Sequence, residues 1–561
     1  MAKRIIIVGG VAGGMSCAAR IKRLDESAEV VVFEQGVDVS FANCGMPYFI
    51  GGVIPERTDL LVQTPETLRG RYDLDIRVRH EVVAIDREHR TVSVRNLDTQ
   101  ETAEEGYDVL VLSPGAAPVQ PPMPGADGPK VFRLSSLDDM DRIAEGAAKS
   151  THACVVGGGF IGLELVENLR ERGLKVTLVE QLDQVMPPMD KEMTQPMLQE
   201  LRSHGVTFHL ETTVDRIDDG QAVLSNGETV ASDMVCLCVG VSPRSGLARD
   251  AGLELGPRGH IRVDRQMRTS DRSIFAVGDA VEVQNSLTGK TDALPLAGPA
   301  NRQGRIAADV ICGRDAAFEG VQGTSIVKLF GLAAGQTGLS EKRLRQEQWP
   351  YHRIYLHPMQ HPRYYPGAQP VSTKLLFSPD GRIYGAQAVG VEGVEVMIDT
   401  LATAIRGQLT VYDLEHLELA YSPQWGNAKH GVNMAGFVAA NLLKGDFDQV
   451  EPDGLHDELF LLDVRMPDET AAGTIPGATI IPLDELRDRQ DELPRDKEIA
   501  VFCAVGLRGY IACRQLRQAG FRVKNINGGY RSWTWTPDAM GLKKPSAVLS
   551  GPDYSESAPR K

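Results

Sequence analysis

Three parts of the chain alternate apolar, strand-like runs with segments that have the apolar spacing of amphipathic helices. The runs begin at "KRIIIVGG", "HACVVGGG" and "ELFLLDVR", an alternation that is typical of parallel α/β units. The first two parts also share a layout, in which a strand, a glycine turn and a helix lead to a second strand that ends in Glu. This likeness indicates the duplication of one nucleotide-binding unit.

Residues 325–443 have a different pattern, with strands in "VSTKLLFSPDGRIYGAQAVG" and a helix near "VEVMIDTLATAIRG", so we expect an α+β domain there. Residues 444–457 are acidic, contain Gly and Pro, and are interpreted as a linker. The polar residues 541–561 are expected to be a loose tail. The whole pattern predicts an α/β protein with two Rossmann-like nucleotide-binding domains, the α+β domain and a third α/β domain, assigned to residues 1–150 with 250–324, 151–249, 325–443 and 458–540.

Composition removes several classes of function. A formal net charge of −15 argues against a nucleic-acid binder or an anionic-membrane binder, since both partners would repel the chain. No apolar run approaches the roughly 20 residues that a bilayer-spanning helix needs. The N-terminus runs directly into a strand that the fold requires, so we do not expect a removable signal. Eight scattered cysteines without such a signal favour a reducing cytoplasm over a disulfide scaffold.

The second glycine turn has the spacing of a dinucleotide-binding motif. Gly157, Gly159 and Gly162 form G-x-G-x-x-G between the strand "ACVV" and the helix "IGLELVENLRERG". These glycines permit the turn, the approach of a pyrophosphate and the close packing of helix on strand, and the helix N-terminus favours the phosphates. Glu180 ends the next strand, where a carboxylate accepts hydrogen bonds from a ribose 2′-OH and repels a 2′-phosphate. We therefore expect NADH here, with NADPH disfavoured.

The first glycine turn is less regular but carries the same acidic strand end. Val11 stands where the middle glycine is expected, and Glu34 closes the strand "EVVVFE". A third marker is "SIFAVGDA", in which Asp279 follows a strand and Gly278 and is placed to bind a ribitol hydroxyl of FAD. With these markers, residues 1–440 resemble the two-dinucleotide-binding flavoprotein disulfide reductases. The resemblance implies FAD at this turn, against Gly9, Gly10, Ala12, Gly13 and Gly14.

One cysteine, Cys44, lies in "SFANCGMPYFIGG", shortly after this unit. Relatives with an internal disulfide have C-x4-C, and Phe49 stands where the second cysteine would be. The segment, including Asn43, resembles the active-site segment of the single-cysteine branch, the coenzyme A-disulfide reductases and the NADH oxidases. A lone redox cysteine forms either a mixed disulfide with an external thiol or a sulfenic acid. The first suits a disulfide or persulfide reductase, and the second suits an oxidase or peroxidase.

Basic residues elsewhere favour the mixed disulfide. Arg20 and Arg23 lie three residues apart on the first helix and therefore share a face that could grip the phosphates of coenzyme A. A solvated basic face is the alternative. In "ANRQGRIAAD", the candidates for contact with flavin or coenzyme A are Asn301, Arg302 and Arg305.

Three tyrosines are further candidates. In the coenzyme A-disulfide reductases, tyrosines in segments similar to "RYYPGA" and "LAYSPQWG" reach across a dimer toward the partner's cysteine; here they are Tyr364, Tyr365 and Tyr421. The resemblance therefore implies a homodimer in which a phenol assists the thiolate or a leaving sulfur. Core packing is the alternative for each tyrosine. The sequence departs from its relatives at Gln424-Trp425 and Lys429-His430.

The third α/β segment resembles a rhodanese domain, in "LLDVRMPDE", "GTIPGATIIPLDEL" and "INGGYRSW". Cys503 ends the strand "EIAVFC" and is followed by a loop and a helix, an arrangement that stabilises an anionic sulfur through backbone N–H groups. Arg508 is expected to assist. The spacing C-x4-R is that of sulfurtransferases, whereas phosphatase-like relatives have C-x5-R.

The fusion most closely resembles the NADH-dependent persulfide reductases. It implies an FAD- and NADH-dependent reductase of persulfide, polysulfide or coenzyme A disulfide, in which Cys44 is the redox residue and Cys503 transfers sulfane sulfur. The alternatives are a coenzyme A-disulfide reductase with an accessory rhodanese domain, an NADH oxidase or peroxidase that uses a Cys44 sulfenate, and a sulfur carrier with a redox-sensing flavin domain. No histidine or cysteine spacing indicates a metal.

Overall fold

The computed structural model describes residues 2–536, so the tail expected at 541–561 lies outside the described residues. The chain forms two compact units. The first contains the residues up to Gln181 together with Val206–Val321, and the second contains Leu182–Gly205 and the residues from Gln322 onward. Among the described residues, none of the helices combines the length and apolar character that crossing a membrane requires.

The first unit contains two parallel five-stranded sheets, as the duplicated sequence pattern predicts. Their inner strands are continuous apolar runs, because both faces of a parallel sheet are covered; Ile5, Ile6 and Ile7 are all buried. In spatial order the first sheet consists of Ile274–Ala276, Val109–Leu112, Arg4–Val8, Glu29–Glu34 and Asp75–Val78. The second consists of Thr207–His209, Lys175–Val179, His152–Val156, Met234–Leu237 and Val131–Phe132.

Helices and smaller sheets complete the first unit. A capping box of Ser136 and Asp139 begins one of the helices. The helices are Ala12–Leu24, Met46–Gly51, Pro65–Tyr72, Leu137–Ala148, Phe160–Glu171, Gly246–Asp250 and Ala297–Ile311. The remaining strands are His80–Asp86, Thr91–Asn96, Thr102–Gly106, Ala116–Pro118, Val214–Asp218, Gln221–Leu224, Thr229–Val230, Val241–Pro243, Ile261–Arg262, Val281–Gln284 and Thr291–Asp292.

The second unit contains the expected α+β domain, which is built on an antiparallel sheet. In spatial order its strands are Ser325–Leu329, Leu332–Gly338, Ile383–Gly390, Val371–Phe377 and His352–Leu356. The strands Val371–Phe377 and Ile383–Gly390 are buried along their whole length. The helices of this region are Gln195–Ser203, Glu341–Glu347, Val394–Arg406, Val411–Glu415 and Gly431–Leu443.

The C-terminal α/β domain has a parallel sheet, and one of its edge strands lies within residues 444–457, which were predicted to be a linker. Asp448–Val450 pairs with Val523–Ile526, so residues 444–457 include part of the sheet rather than serving only as a connection. The order continues with Ile499–Phe502, Phe460–Asp463 and Thr479–Ile480. The helices are Pro467–Ala471, Leu486–Arg489, Leu507–Gln518 and Gly529–Trp535.

A buried ionic cluster explains why residues 182–205 belong to the second unit. Lys374 is fully buried in the middle of a strand of the antiparallel sheet. Its ammonium group binds carboxylate oxygens of Asp190 at 2.8 Å, Glu192 at 2.5 Å and Glu341 at 2.6 Å. A buried ammonium group requires such partners. The three carboxylates are close enough together to hold a metal ion, but the lysine already lies among them.

Candidate active sites

The first glycine turn has the shape that a dinucleotide needs. Gly9 has a positive φ of 99°, and a Cβ atom on Gly14 would collide with the carbonyl oxygen of Gly9. The carboxylate of Glu34 accepts hydrogen bonds from the backbone N–H groups of Gly10 and Gly36, each at 2.8 Å. These bonds hold Glu34 at the end of its strand, beside the turn. The residues therefore fit the adenosine and pyrophosphate part of FAD.

The second turn repeats this arrangement. Gly157 has a φ of 107°, and a Cβ atom on Gly162 would collide with its carbonyl oxygen. Space is open beside Gly159, where a Cβ atom would meet nothing within 4 Å. Glu180 is buried and accepts a hydrogen bond from the Gly158 N–H at 2.6 Å. The open side of the glycine and the fixed carboxylate fit a pyrophosphate and a ribose.

Asp279 lies where the sequence places it, in a short turn, Gly278–Ala280, after a strand of the first sheet. The N–H group of Gly278 donates to Oε1 of Gln303 at 2.7 Å, which fixes the turn. Burial raises the pKa of Asp279. A hydroxyl-rich ligand would satisfy this half-buried carboxyl group, which fits the predicted contact with ribitol.

Cys44 is exposed in the turn Asn43–Gly45, which leads into the helix Met46–Gly51. Partial burial raises the pKa of its thiol, and the carboxyl groups of Glu164 and Asp279 raise it further. Cys44, Asp279 and Glu164 therefore belong to one site. All eight cysteines, which lie within the described residues, are free thiols, so Cys44 has no disulfide partner within the chain.

Glu164 is a functional candidate that sequence reasoning missed. Burial and the charge of Glu167 raise its pKa to about 7, although a hydrogen bond with Tyr48 opposes the shift. A carboxyl group that titrates near neutral pH beside a reactive thiol is a candidate proton donor or acceptor. Glu164 follows Gly162, the last glycine of the motif, by two residues, and this proximity to the nucleotide turn could have identified it as a candidate.

The proposed contacts with coenzyme A lie where two helices of the first unit meet. Ser16 binds Asn301, and the guanidinium group of Arg20 binds Asp309 at 2.8 Å. Arg23 is exposed and lies 6.0 Å from the centre of the Tyr72 ring. Arg20 therefore has a structural partner, whereas the exposed residues that remain available to an anionic ligand are Arg23, Arg302 and Arg305. The role of each in binding coenzyme A stays a prediction.

The three predicted tyrosines lie at the surface of the second unit, so core packing does not explain them. Tyr364 is 74% exposed, Tyr421 is 50% exposed, and their hydroxyl groups are 3.3 Å apart. This hydrogen bond raises the pKa of Tyr364. Tyr365 packs edge-on against His361. Trp425, at the position where the sequence departs from its relatives, is 83% exposed.

Cys503 lies at the end of its strand and begins the loop that leads into the helix Leu507–Gln518, as predicted. Its Sγ atom accepts a hydrogen bond from the N–H group of Gly506 at 3.2 Å. Gly506 has a φ of 100°, which turns the loop around the sulfur. Arg508 forms an ion pair with Glu469, a residue that the sequence did not single out. This pairing raises the pKa of the guanidinium group, and Arg508 lies near enough to Cys503 for the sulfur to raise it further.

The Cys503 loop packs against the segment that begins with Gly528 and Gly529. The N–H groups of Tyr530 and Arg531 donate to the carbonyl oxygens of Cys503 at 2.8 Å and Ala504 at 3.1 Å. Gly529, with a φ of 67°, touches the loop so closely that a Cβ atom there would collide with the carbonyl oxygen of Cys503. These two hydrogen bonds and the close contact with Gly529 therefore fix the backbone of the loop.

Comparison with family models decides the assignment. The pyridine nucleotide-disulphide oxidoreductase model matches residues 3–304, which is more than half of the chain. The chain belongs to this family. The dimerisation domain of the same family matches residues 324–429, and a rhodanese-like domain matches residues 442–535. The family assignment and the predicted fold class are confirmed, and the chain is an oxidoreductase with a fused rhodanese domain.

Two solved structures and one further sequence relative are similar to this chain. Reduced CoADR-RHD from Bacillus anthracis is 47% identical, with 95% of this chain and 98% of that chain covered and a TM-score of 0.94. A NAD-dependent persulfide reductase from A. fulgidus is 36% identical, with 94% and 100% covered and a TM-score of 0.90. A coenzyme A disulfide reductase of Staphylococcus aureus is 36% identical over 440 residues, which are 78% of this chain and 99% of that protein.

Proposed function

We propose that the protein is an FAD- and NADH-dependent reductase of coenzyme A persulfide, polysulfides and coenzyme A disulfide, with sulfane-sulfur transfer at its rhodanese domain. The observation that carries this proposal is Cys44, an exposed thiol beside Asp279 and Glu164 with no disulfide partner in the chain. A thiol in that situation exchanges with an external sulfur compound. The persulfide reductase and the coenzyme A disulfide reductase among the relatives support this substrate class.

Each of the two glycine turns would bind a different cofactor. The first turn, Glu34 and Asp279 would hold FAD, and the second turn with Glu180 would hold NADH. These residues would hold the two cofactors, and a bound flavin would supply two-electron transfer from NADH to the sulfur on Cys44. The buried carboxylate of Glu180 supports NADH over NADPH, since a 2′-phosphate would meet a like charge.

The protein's own groups perform the sulfur chemistry. The Cys44 thiolate attacks the outer sulfur of coenzyme A persulfide, so that a new S–S bond forms at Cys44 and the coenzyme A thiolate leaves. Two electrons and one proton then convert the Cys44 persulfide into the thiolate and hydrogen sulfide. With coenzyme A disulfide, the same attack gives a mixed disulfide on Cys44 and releases one coenzyme A thiolate.

Glu164 would supply the proton. Its pKa of about 7 lets it hold a proton at neutral pH and release it to a departing sulfide or thiolate. The hydrogen bond between Tyr48 and Glu164 orients the carboxyl group. The raised pKa of Tyr48, about 12, which burial and then Glu164 produce, keeps the phenol protonated as the donor in that bond.

The second unit would contribute dimer contacts and sulfur delivery. The exposed Tyr364–Tyr421 pair supports a homodimer in which these phenols approach Cys44 of the partner subunit. Cys503 would collect sulfane sulfur as a persulfide and return it to a thiol such as coenzyme A. The free thiols support a reducing cytoplasm as the compartment.

Mass spectrometry of the purified, non-reduced protein tests the proposal, together with NADH consumption on coenzyme A persulfide and on coenzyme A disulfide. We expect a coenzyme A-sized or sulfur adduct on Cys44, and loss of both activities in Cys44→Ser. The half-buried Cys312 gives the matched control, and Cys312→Ser should retain both activities. Full persulfide turnover in Cys44→Ser would refute the proposal.

An NADH oxidase is the second candidate. It is favoured by the likeness to the water-forming NADH oxidase of Lactobacillus brevis, which is 28% identical with a TM-score of 0.76 over 79% of this chain. That reaction would leave an oxygen adduct on Cys44 in place of a sulfur adduct. Rapid oxygen-dependent loss of NADH without a sulfur substrate would select this alternative.

A further inference from the structure

The positive charge beside Cys503 is already neutralised. Arg508 binds both carboxylate oxygens of Glu469, through Nη1 at 2.6 Å and Nη2 at 2.5 Å. A bidentate pair of this kind has fixed geometry as well as strength. The guanidinium group that contacts the reactive sulfur therefore belongs to an ion pair with no net charge.

Glu469 is itself held in place. Its Oε2 atom accepts a hydrogen bond from the N–H group of Met466 at 3.0 Å. The hydrogen bonds from Arg508 lower the pKa of Glu469, so the carboxylate stays ionised at neutral pH. Both members of the ion pair lie in the first turns of helices, Glu469 in Pro467–Ala471 and Arg508 in Leu507–Gln518, so their backbones are fixed.

Two other arginines, Arg465 and Arg531, lie near the loop and interact with other groups. The guanidinium group of Arg465 is buried against Asp463 at 2.6 Å and over the ring of Tyr530. Arg531 is half-buried and donates its backbone N–H to the loop, and its charge helps to lower the pKa of the buried His357. Neither arginine is exposed at the surface.

Three exposed apolar residues lie near the two members of the ion pair in the chain. Leu507 is 59% exposed and immediately precedes Arg508, and Ile511 lies one helical turn further on the same face and is 42% exposed. Met466, whose N–H group holds Glu469, is also 42% exposed. Exposed carbon atoms therefore accompany the neutralised Arg508–Glu469 pair, whose side chains are themselves about a third exposed.

These features separate two classes of sulfur donor. Thiosulfate carries two negative charges and must approach a thiolate, so its transfer requires positive charge that is not otherwise engaged. An organic persulfide with an uncharged arm carries at most one negative charge, on its terminal sulfur, and offers apolar surface to bury. In both reactions the Cys503 thiolate forms a bond to the outer sulfur, and either sulfite or the organic thiolate leaves.

We propose that Glu469 is a specificity-determining residue of the Cys503 site, which excludes dianionic sulfur donors by neutralising Arg508 and so reserves the site for persulfides on uncharged thiol arms. The proposal rests on the proposed sulfur-transfer role of Cys503. Glu469 acts here through Arg508 and does not touch the transferred sulfur.

The test measures thiocyanate formed from cyanide by the full-length holoenzyme, with thiosulfate or pantetheine persulfide as the donor. In the wild type we expect kcat/KM for pantetheine persulfide to exceed that for thiosulfate by about 100-fold. In Glu469→Gln, kcat/KM for thiosulfate should rise at least tenfold, mainly through a lower KM that increases with salt, because Arg508 is released. Persulfide turnover should change by less than threefold.

Two further variants complete the test. Glu492 binds Arg489 on the surface of the same domain, so Glu492→Gln is the matched control and should leave both donors unchanged. Glu469→Asp keeps the negative charge and should therefore keep most of the preference for pantetheine persulfide over thiosulfate. This variant tests the inference even if Glu469→Gln is less stable. A ratio of the two donors that is unchanged in Glu469→Gln would overturn the inference. Equal transfer by wild type and Cys503→Ser would instead refute the sulfur-transfer role itself.

Discussion

The side-chain amide of Asn527, in the rhodanese domain, accepts a hydrogen bond from the backbone N–H of Tyr355, in the dimerisation domain, at 2.9 Å. Its Nδ2 atom donates to Glu451 at 2.9 Å and to the carbonyl oxygen of Arg353 at 3.0 Å. The next residue, Gly528, has no room for a Cβ atom between Tyr355 and Ser532. The Cys503 loop, which rests on Gly529, is thus connected to the dimerisation sheet through a few buried contacts.

We predict that Asn527→Ala loosens this connection. The substitution leaves the N–H group of Tyr355 without its partner, which should cost about 1–3 kcal/mol of unfolding free energy. Hydrogen exchange should increase in the segments 352–356 and 523–535, and sulfur transfer should fall several-fold. Reduction of coenzyme A disulfide at Cys44 should not change.

The control for that variant is Asn226→Ala, at an exposed turn of the first unit. If hydrogen exchange in the segments 352–356 and 523–535 is the same in Asn527→Ala as in the wild type, the rhodanese domain packs against the dimerisation sheet without this amide.

The buried cluster around Lys374 should be sensitive to loss of its only ammonium group. Lys374→Met leaves Asp190 and Glu192 without the ammonium group that they share, whereas Glu341 keeps its ion pair with Arg353, and the loss is expected to cost about 3–5 kcal/mol. Urea unfolding at pH 7 measures the effect. Lys328→Met, on the edge strand of the same sheet, is the control and should change stability little, because Lys328 is exposed.

The same cluster predicts a loss of stability in acid. Burial opposes ionisation of Glu341, but the attraction of Lys374 and Arg353 outweighs it and holds the pKa of Glu341 well below its usual range. A carboxyl group with a lowered pKa stabilises the fold above its unfolded-state pKa, about 4.3, and this contribution disappears as pH falls toward the folded value.

Urea unfolding between pH 6 and pH 3 should therefore show a decrease in free energy that begins below about pH 5. In Glu341→Gln the decrease should be shallower, whereas Glu395→Gln, at an exposed position of the same unit, should follow the wild type. Parallel curves for Glu341→Gln and the wild type would contradict the assignment.

Glu164 should govern the pH dependence of the reduction at Cys44. With a pKa of about 7, this carboxyl group is half protonated at neutral pH, so kcat for coenzyme A disulfide should decrease as pH rises above 7. In Glu164→Gln that decrease should disappear and kcat at pH 7 should fall roughly 10- to 100-fold. Glu171→Gln, at the exposed end of the same helix, is the control.

Nucleotide preference should depend on Glu180. The wild type should have a kcat/KM for NADH at least tenfold above that for NADPH, because the carboxylate favours a 2′-OH and repels a 2′-phosphate. Glu180→Ser should raise the NADPH/NADH ratio about tenfold or more, which corresponds to about 1.4 kcal/mol. An unchanged ratio would show that another residue makes this selection.

The features that could be predicted from sequence are local in the chain. The glycine turns, the acidic strand ends Glu34 and Glu180, and the strand–loop–helix order at Cys503 each depend on residues within about 25 positions of one another. Strand periodicity and turn chemistry act over the same range, so the fold class followed from them. The sequence analysis missed the rhodanese strand Asp448–Val450, because a strand of three residues is too short to show a periodicity.

The features that only the tertiary structure decided are pairs of charged or polar groups that are distant in sequence. Lys374 meets Asp190 across 184 residues, Arg508 meets Glu469 across 39, and Tyr364 meets Tyr421 across 57. The position of Glu164 beside Cys44 depends on the packing of two helices. From sequence alone, an isolated Glu or Lys is predicted to be exposed to solvent. Its actual burial, charge and pKa depend on the groups that contact it in the folded chain.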